Sequence, residues 1–275
     1  MLTPEHVKRL FRALSNDGDV VTRRLLLLAS VAVVVGGCGS SAKTSPAAAP
    51  SARVAPGAEI GALFPGGVDG AHICTASVVH SRTGNVIVTA AHCLAGTSVG
   101  IAFAPGYTGG VAPYGSWTVT GAYADPAWVQ GKDAHADVAF LTVAPAKGST
   151  PVEQVVGAAT LSVAPTDGTS VTATGYALGL DDSPLGCTAA TTTTDGYPTL
   201  PCGPLPLGTS GAPWLTTRAD GRPLLVGVVG GLHQGGCTPD VSYSAPFTAG
   251  TATLLARAAA GGPADTLPAR PSDGC

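Results

Sequence analysis

The chain is poor in charged and aromatic residues and has one methionine. Of its 275 residues, 11% are charged and 5% are aromatic. It shows no heptad pattern, internal repeat or glycine-rich phosphate loop, which argues against coiled coils, solenoids and nucleotide-binding enzymes. No basic run follows the N-terminal region and the formal net charge is −3. Nucleic acid is therefore not expected as a partner.

A hydrophobic run long enough to span a bilayer is also missing, since spanning takes about 20 residues. The apolar run from Leu25 to Val35 is shorter and follows a cluster of basic residues. This arrangement predicts a signal peptide over residues 1–37. The pair Arg23-Arg24 is in addition a weak match to a twin-arginine signal.

Small residues stand directly before the first cysteine, in Val35-Gly36-Gly37-Cys38. This sequence resembles a bacterial lipobox, in which the cysteine is diacylated and becomes the new N-terminus. We therefore predict lipidation of Cys38; an ordinary cleaved signal with an incidental cysteine is the alternative.

Glycine and proline are abundant, with 38 and 23 residues. Such a composition is typical of many short strands joined by turns. Short apolar runs recur at Cys74–Val79, Asn85–Thr89, Ser116–Thr120, Val138–Val143, Ser170–Thr174 and Leu224–Val229. Their spacing predicts an all-β fold, an antiparallel barrel or sandwich.

Composition also sets the expected domain boundaries. Residues 38–56 are small, polar and proline-rich and are predicted to be a flexible tether after the lipidated cysteine. The globular domain is expected over residues 57–260, ending in a helix from Thr248 to Ala260. The proline-rich residues 261–275 are predicted to be a disordered tail.

Six cysteines follow Cys38, an even set in a chain with an export signal: Cys74, Cys93, Cys187, Cys202, Cys237 and Cys275. Outside the cytoplasm such a set predicts disulfides. Metal binding is the alternative, but no Cys-x-x-Cys pair or His/Cys cluster supports it. We expect no metal and no cofactor.

Three separated motifs suit nucleophilic catalysis. His92 ends an apolar run, Asp137 begins Asp-Val-Ala-Phe-Leu, and Ser210 lies in Gly-Thr-Ser-Gly-Ala-Pro-Trp. A serine hydroxyl needs a base, and that base needs a partner that fixes its tautomer. We predict His92 as the base, Asp137 as its partner and Ser210 as the nucleophile. The amides of Gly208 and Ser210 are the expected oxyanion donors.

Competing interpretations exist for these residues. Asp125 and Asp133 are rival carboxylates, but neither begins an apolar strand. His135 is interpreted as a surface loop residue. His233 is predicted to be structural or exposed, with a place in the substrate pocket as the alternative.

The motifs Thr-Ala-Ala-His-Cys, Asp-Val-Ala-Phe-Leu and Gly-Thr-Ser-Gly-Ala-Pro-Trp resemble, in this order, those of the trypsin/chymotrypsin-like serine proteases. The resemblance covers about residues 60–250. It implies two six-stranded antiparallel β-barrels with the triad in the cleft between them, and a substrate-pairing segment at Leu225–Gly231.

The resemblance also suggests how the cysteines pair. Cys74 and Cys93 match the disulfide beside the catalytic histidine. Cys202 and Cys237 are similar to the bridge that frames the primary pocket of the family, and Cys187–Cys202 is a local alternative. The role of Cys275 stays open.

Three features depart from the family pattern. Thr209 stands where many members have an aspartate that receives a newly cut N-terminal ammonium, and Arg53–Gly57 lacks the usual Ile-Val-Gly-Gly start. Both departures argue against activation by clipping. Gly230 replaces a serine that usually bonds the catalytic aspartate, so weaker support of Asp137 is expected.

The substrate pocket is expected to be apolar. Its base falls near Pro204 or Leu205, which offer no carboxylate to a substrate lysine or arginine. Val241 is predicted on the opposite wall, and Gly230 and Gly231 beside the substrate backbone. Such a pocket favours a small or hydrophobic side chain at P1, the residue before the scissile bond.

These motifs together predict an exported serine endopeptidase that works through an acyl-enzyme. A catalytically silent homologue that binds peptides is the alternative; an esterase on another fold is opposed by the order His, Asp, Ser. We expect a monomer with a peptide or protein substrate. Its expected location is the outer face of the cytoplasmic membrane, contacted through the lipid anchor only, or the secreted fraction.

Overall fold

The computed structural model describes residues 47–178, 182–238, 240–272 and 275. The predicted signal peptide, Cys38 and the start of the predicted tether lie outside the described residues. The helices are α1 (Pro126–Gly131), α2 (Val152–Val156) and α3 (Ala249–Ala259). None of the helices in the described part of the chain is long and apolar enough to cross a membrane.

The strands are mostly short, as the spacing of the apolar runs predicts. In chain order they are β1 (Ala49–Pro50), β2 (Ala52–Arg53), β3 (Ile60–Phe64), β4 (Cys74–Val78), β5 (Val86–Thr89), β6 (Ala102–Pro105), β7 (Trp117–Ala124), β8 (Ala139–Pro145), β9 (Thr160–Leu161), β10 (Ser170–Gly175), β11 (Leu185–Ala190), β12 (Thr192–Thr194), β13 (Tyr197–Leu200), β14 (Cys202–Gly203), β15 (Pro213–Thr217), β16 (Pro223–Val228) and β17 (Ser242–Tyr243).

The first half of the domain is a closed six-stranded barrel with the order β3-β4-β5-β8-β7-β6. All of its strand pairs are antiparallel. Strands β3, β4 and β5 are buried along their whole length, which suits their content of small and β-branched residues. Leu63, Ile87, Phe103 and Leu141 are among the side chains that fill the core.

The second half contains a six-stranded sheet, β2-β11-β10-β15-β16-β9, and a three-stranded sheet, β12-β13-β17. Trp214 and Leu200 are buried in its core. The predicted all-β class with a short C-terminal helix is confirmed. In detail, the described pairings close a barrel only in the first half, and the β16–β9 and β1–β14 pairs are parallel.

Helix α3 begins where the sequence predicts it, because Thr248 caps it. The Thr248 Oγ1 accepts a hydrogen bond from the Gly250 amide at 3.1 Å, and the Thr248 amide donates to Thr251 Oγ1 at 3.0 Å. This reciprocal arrangement satisfies amides that the helix itself leaves unpaired. Leu254 and Ala258 of the helix pack against Phe140.

Part of the predicted flexible tether is ordered. Ala49 and Pro50 pair with β14, and Ala52 and Arg53 pair with β11. The predicted boundary at residue 57 is therefore corrected, because residues 49–53 already belong to the sheets. The physical reason is that the edges of β11 and β14 offer backbone partners, which composition does not reveal.

The predicted disordered tail is corrected as well. Residues 261–272 and Cys275 are called the C-terminal arm below, and this arm lies against the domain. Leu267 is 3% exposed within the barrel core. It exchanges two backbone hydrogen bonds with Gly96, at 3.0 and 2.8 Å. Asp265 accepts a bond from the Ala124 amide at 2.9 Å and pairs with Arg257. The described part of the arm contains no helix or strand. Its proline-rich composition shows no periodic pattern, which is why the sequence predicts disorder here.

Three disulfides are present among the described residues. Cys74–Cys93 forms as the family resemblance implies. Cys187 pairs with Cys202, which is the local alternative, and Cys237 pairs with Cys275; the Cys202–Cys237 bridge that the resemblance suggested does not form. The reason is that β1 lies beside β14 and brings Cys202 near β11, which carries Cys187, while the arm delivers Cys275 to Cys237.

Candidate active site

The barrel brings His92 and Asp137 together although 45 residues separate them. Strand β5 ends at Thr89, and His92 lies in a 3-10 turn over Ala91–Cys93. Asp137 follows a second 3-10 turn and precedes β8. Because β5 and β8 are neighbours, with Thr89 opposite Ala139, both side chains emerge at the same end of the barrel.

The Asp137 carboxylate is fully buried and accepts three hydrogen bonds. The His92 Nδ1 lies 2.7 Å from Oδ2, and the His92 amide donates to Oδ1 at 2.9 Å. The Gly231 amide donates to Oδ2 at 2.8 Å. A buried carboxylate needs such partners, since an unpaired one carries a large desolvation cost.

The orientation of His92 suits a general base. The ring is buried, and Nδ1 faces the carboxylate, which places a proton there in the neutral ring. The Nε2 is buried and has no hydrogen-bond partner within the described part of the chain. It is therefore the nitrogen available to accept a proton.

Ser210 lies in a tight loop that requires glycine on both sides. Gly208 and Gly211 have φ angles of +95° and +80°. A Cβ on Gly208 would lie 2.2 Å from the Leu178 nitrogen, and one on Gly211 would lie 2.2 Å from the Thr75 oxygen. No other residue fits these positions, as the sequence motif indicates.

Thr75, which sequence reasoning missed, ties this loop to the barrel. The Thr75 amide donates to the Ser210 carbonyl at 2.8 Å, and its Oγ1 lies 3.3 Å from the Gly208 carbonyl oxygen. The same hydroxyl accepts a bond from the Tyr176 amide at 2.9 Å. Its place directly after Cys74 in a buried strand was the only signal in the sequence.

The amides of Gly208 and Ser210 are the oxyanion donors predicted from the sequence. Neither donates a hydrogen bond to any acceptor among the described residues. Ser210 is 7% exposed, and its Oγ forms no hydrogen bond with His92 in this structure. In free enzymes the bond between nucleophile and base is often long and tightens when substrate binds.

A cavity of about 280 Å³ opens beside Ser210. Leu205, Leu207 and Val229 contribute apolar surface, as predicted for Leu205. Gly230, Gly231 and Val241 do not line it. The predicted place of Val241 is taken by the turn at residues 233–238, since the Val241 carbonyl packs against Gly236.

The cavity is less apolar than the sequence predicts. His233, Gln234 and Arg270 line it, and Arg270 comes from the C-terminal arm. The alternative placement of His233 in the pocket is thus the one observed. His233, Cys237 and Cys275 lie close enough to share a metal ion, but both sulfur atoms belong to the disulfide and provide no thiolate.

Two of the three departures from the family pattern, Thr209 and Gly230, have local explanations. Thr209 is buried, and its hydroxyl donates to the Pro206 carbonyl at 2.8 Å, so this position needs no cationic partner. A Cβ on Gly230 would lie 3.1 Å from Asp137 Oδ2, which shows that this residue faces the carboxylate. The Gly231 amide supplies a donor there, which partly replaces the missing serine.

Residues beside Asp137 form a second polar group. His135 stacks on Tyr197 with ring centroids 4.2 Å apart, and the Tyr197 hydroxyl lies 3.0 Å from His135 Nδ1. Burial, followed by the carboxylates of Asp133 and Asp137, raises the pKa of Tyr197. Asp133 caps its own turn through the His135 amide, so this rival carboxylate is used locally.

The chain is similar to a known protein family and to solved structures. The family model described as Trypsin matches residues 59–196, which include His92 and Asp137 and end before Ser210. The structure is similar to the protease Anisep from Arthrobacter nicotinovorans, at 24% identity and a TM-score of 0.64, covering 76% of this chain and 99% of that one. It is also similar to the thermostable serine protease AL20 from an extremophilic microorganism, at 26% identity and a TM-score of 0.63, covering 74% and 98%. The comparison with curated proteins found no match.

Proposed function

Because the chain belongs to the trypsin family and is a serine endopeptidase, we propose that it cleaves peptide bonds with the triad His92, Asp137 and Ser210. The observation that carries this assignment is the buried His92–Asp137 pair, with Nδ1 engaged and Nε2 available. A silent homologue would have no need to keep a buried histidine with an unsatisfied nitrogen, since that nitrogen carries a desolvation cost.

The proposed reaction is acyl transfer followed by hydrolysis. Ser210 Oγ attacks the scissile carbonyl carbon while His92 Nε2 takes its proton, and Asp137 stabilises the imidazolium. The amides of Gly208 and Ser210 donate to the oxyanion. The imidazolium then protonates the leaving amine. Water, deprotonated by His92, then attacks the acyl carbon, the bond to Ser210 Oγ breaks, and the imidazolium returns the proton to Oγ.

We also propose that activity needs no N-terminal clipping. Ala49 to Arg53 pair with strands β14 and β11 in the uncut chain, and Thr209 is satisfied by Pro206. Neither position depends on a new ammonium group. The competent loop is instead supported by Thr75, which belongs to the barrel.

One labelling experiment tests both proposals. A fluorophosphonate probe is expected to label the purified protein, and the Ser210→Ala and His92→Ala variants are expected to remain unlabelled. Each substitution should lower kcat on a peptide by several orders of magnitude, on the order of 10⁶-fold. Mass spectrometry of the labelled protein should show that Ala49–Arg53 is still attached. Absence of labelling under oxidising conditions would support the silent homologue, and labelling only of clipped chains would contradict activation without cleavage.

We propose further that the protein is exported and held at the membrane by lipid on Cys38. The basic cluster, the short apolar run and the small residues before Cys38 support this location. A Cys38→Ser variant should leave the membrane fraction and appear with soluble exported protein. If it fractionates as the unmodified protein does, the lipid anchor is wrong.

A further inference from the structure

The cavity beside Ser210 has one charged wall. Among the described residues that line it, Arg270 is the only lysine, arginine, aspartate or glutamate. The remaining lining includes the apolar Leu205, Leu207 and Val229 and the neutral Thr209 and Gln234. A cationic group therefore faces a pocket that offers no carboxylate side chain in the described structure.

Gln234 is hydrogen-bonded to both Arg270 and the next residue, Pro271. The Arg270 Nε donates to Gln234 Oε1 at 2.7 Å, and the Gln234 Nε2 donates to the Pro271 carbonyl at 2.8 Å. Both the oxygen and the nitrogen of the Gln234 side-chain amide therefore bond the C-terminal arm. The disulfide Cys237–Cys275 fixes the end of the arm to the same turn. Within the described part of the chain, Arg270 forms no ion pair with a side-chain carboxylate, and its hydrogen bond to Gln234 uses Nε rather than the two terminal nitrogens.

The turn that carries Gln234 has an unusual backbone. His233 and Gln234 have φ angles of +52° and +54°, and Gly235 and Gly236 continue at +116° and +134°. Positive φ in two successive non-glycine residues costs conformational energy and persists only where other contacts impose it. In this turn, Gln234 is hydrogen-bonded to Arg270 and Pro271, and Cys237 is covalently joined to Cys275.

The geometry points to a P1 specificity for acidic side chains, with Arg270 as the specificity-determining residue. This inference rests on the proposed function, because the pocket lies beside the proposed nucleophile Ser210. A volume of about 280 Å³ holds a glutamate or aspartate side chain. A guanidinium whose terminal nitrogens have no carboxylate side chain as partner among the described residues matches a substrate carboxylate in charge and shape. The sequence predicts a small or hydrophobic P1 residue only because it does not reveal that Arg270 lines the pocket.

The test compares three peptides that differ only at P1: glutamate, the uncharged and nearly isosteric glutamine, and leucine. We expect kcat/KM for the glutamate peptide to exceed that for glutamine by about tenfold, the usual scale for a partly exposed charged hydrogen bond. Arg270→Gln should remove this preference, so that the glutamate and glutamine peptides are cleaved with the same kcat/KM. Arg218→Gln is the matched control, since Arg218 pairs with Asp220 in a surface turn.

Binding separates this inference from the catalytic proposal. In the Ser210→Ala background, calorimetry should show tighter binding of the glutamate peptide than of the glutamine peptide, and Arg270→Gln should abolish the difference. Equal binding of the two peptides, or a preference for leucine that Arg270→Gln does not change, overturns the inference even if the enzyme is active. Binding that depends on Arg270 without fluorophosphonate labelling would uphold the pocket and reject the triad.

Discussion

At the scale of single residues, Gly230 is the position where this chain differs most informatively from its family. The missing serine suggests a poorly supported Asp137. In the structure, however, the carboxylate oxygen that such a serine would face already has two donors, His92 Nδ1 and the Gly231 amide. Gly231 has a φ of +74° and its position tolerates no side chain, since a Cβ would lie 2.7 Å from the Ala245 nitrogen. Backbone support therefore replaces side-chain support.

Substitution of Gly230 tests how much room this arrangement leaves. A Cβ here would meet Asp137 Oδ2 at 3.1 Å and the Ala90 Cβ at 3.2 Å. Gly230→Ala crowds the carboxylate and offers no donor, so we expect kcat to fall about tenfold, the equivalent of ~1.4 kcal/mol. Gly230→Ser adds a hydroxyl that can bond Oδ2 and should stay within about threefold of the parent. Steady-state kinetics on one peptide measures both. An alanine variant as active as the serine variant would show that Asp137 does not sense this position.

At the scale of elements, the loop that carries Ser210 is shaped by both halves of the domain. Thr75 on β4 bonds the Ser210 and Gly208 carbonyls and the Tyr176 amide. From the other side, the Gly211 amide donates to the Val229 carbonyl at 2.7 Å, just beyond β16. The loop that carries Ser210 is therefore hydrogen-bonded to a barrel strand on one side and to the second half of the domain on the other. Such contacts restrict its motion, as a preorganised oxyanion site requires.

Elements with a strong local pattern could be predicted from the sequence. The run Cys74–Val79 became β4 over Cys74–Val78, and the helix expected from Thr248 became α3 with Thr248 as its cap. Periodicity and capping depend on neighbouring residues, so they are readable in one chain. His92 and Asp137 could be placed because each stands at the end of such a strand.

Features that depend on distant contacts could not be predicted. The proline-rich residues 261–275 contain no periodic apolar face, yet Leu267 packs in the barrel core. The Cys237–Cys275 disulfide forms because the arm extends to the second half of the domain. Arg270 enters the pocket for the same reason, which is why the sequence indicated an apolar site.

At the scale of the whole molecule, the C-terminal arm connects the two halves across the region of the active site. Its first part contacts the barrel through Leu267 and Asp265. Its last part contacts the pocket turn through Arg270 and Cys275. The arm therefore acts as a strap whose two attachments lie on different halves, and loss of either attachment should loosen the domain as a whole.

Leu267 is the attachment whose loss should be easiest to measure. Replacing a buried leucine by alanine costs about 2–5 kcal/mol, because the transfer free energy is lost and a cavity is left. For Leu267→Ala, with the parent side chain only 3% exposed, we expect the free energy of unfolding to fall by about 3 kcal/mol, which corresponds to a decrease in Tm of roughly 6–12 °C in a domain of this size. Val163→Ala is the matched control, because Val163 is 64% exposed and such a change usually alters stability by less than about 0.5 kcal/mol. Calorimetric unfolding of the parent and both variants, with disulfides intact, gives the comparison. If Leu267→Ala unfolds within 1–2 °C of Val163→Ala, on the order of the smallest effects expected of a surface change, the arm does not stabilise the domain and the strap is wrong.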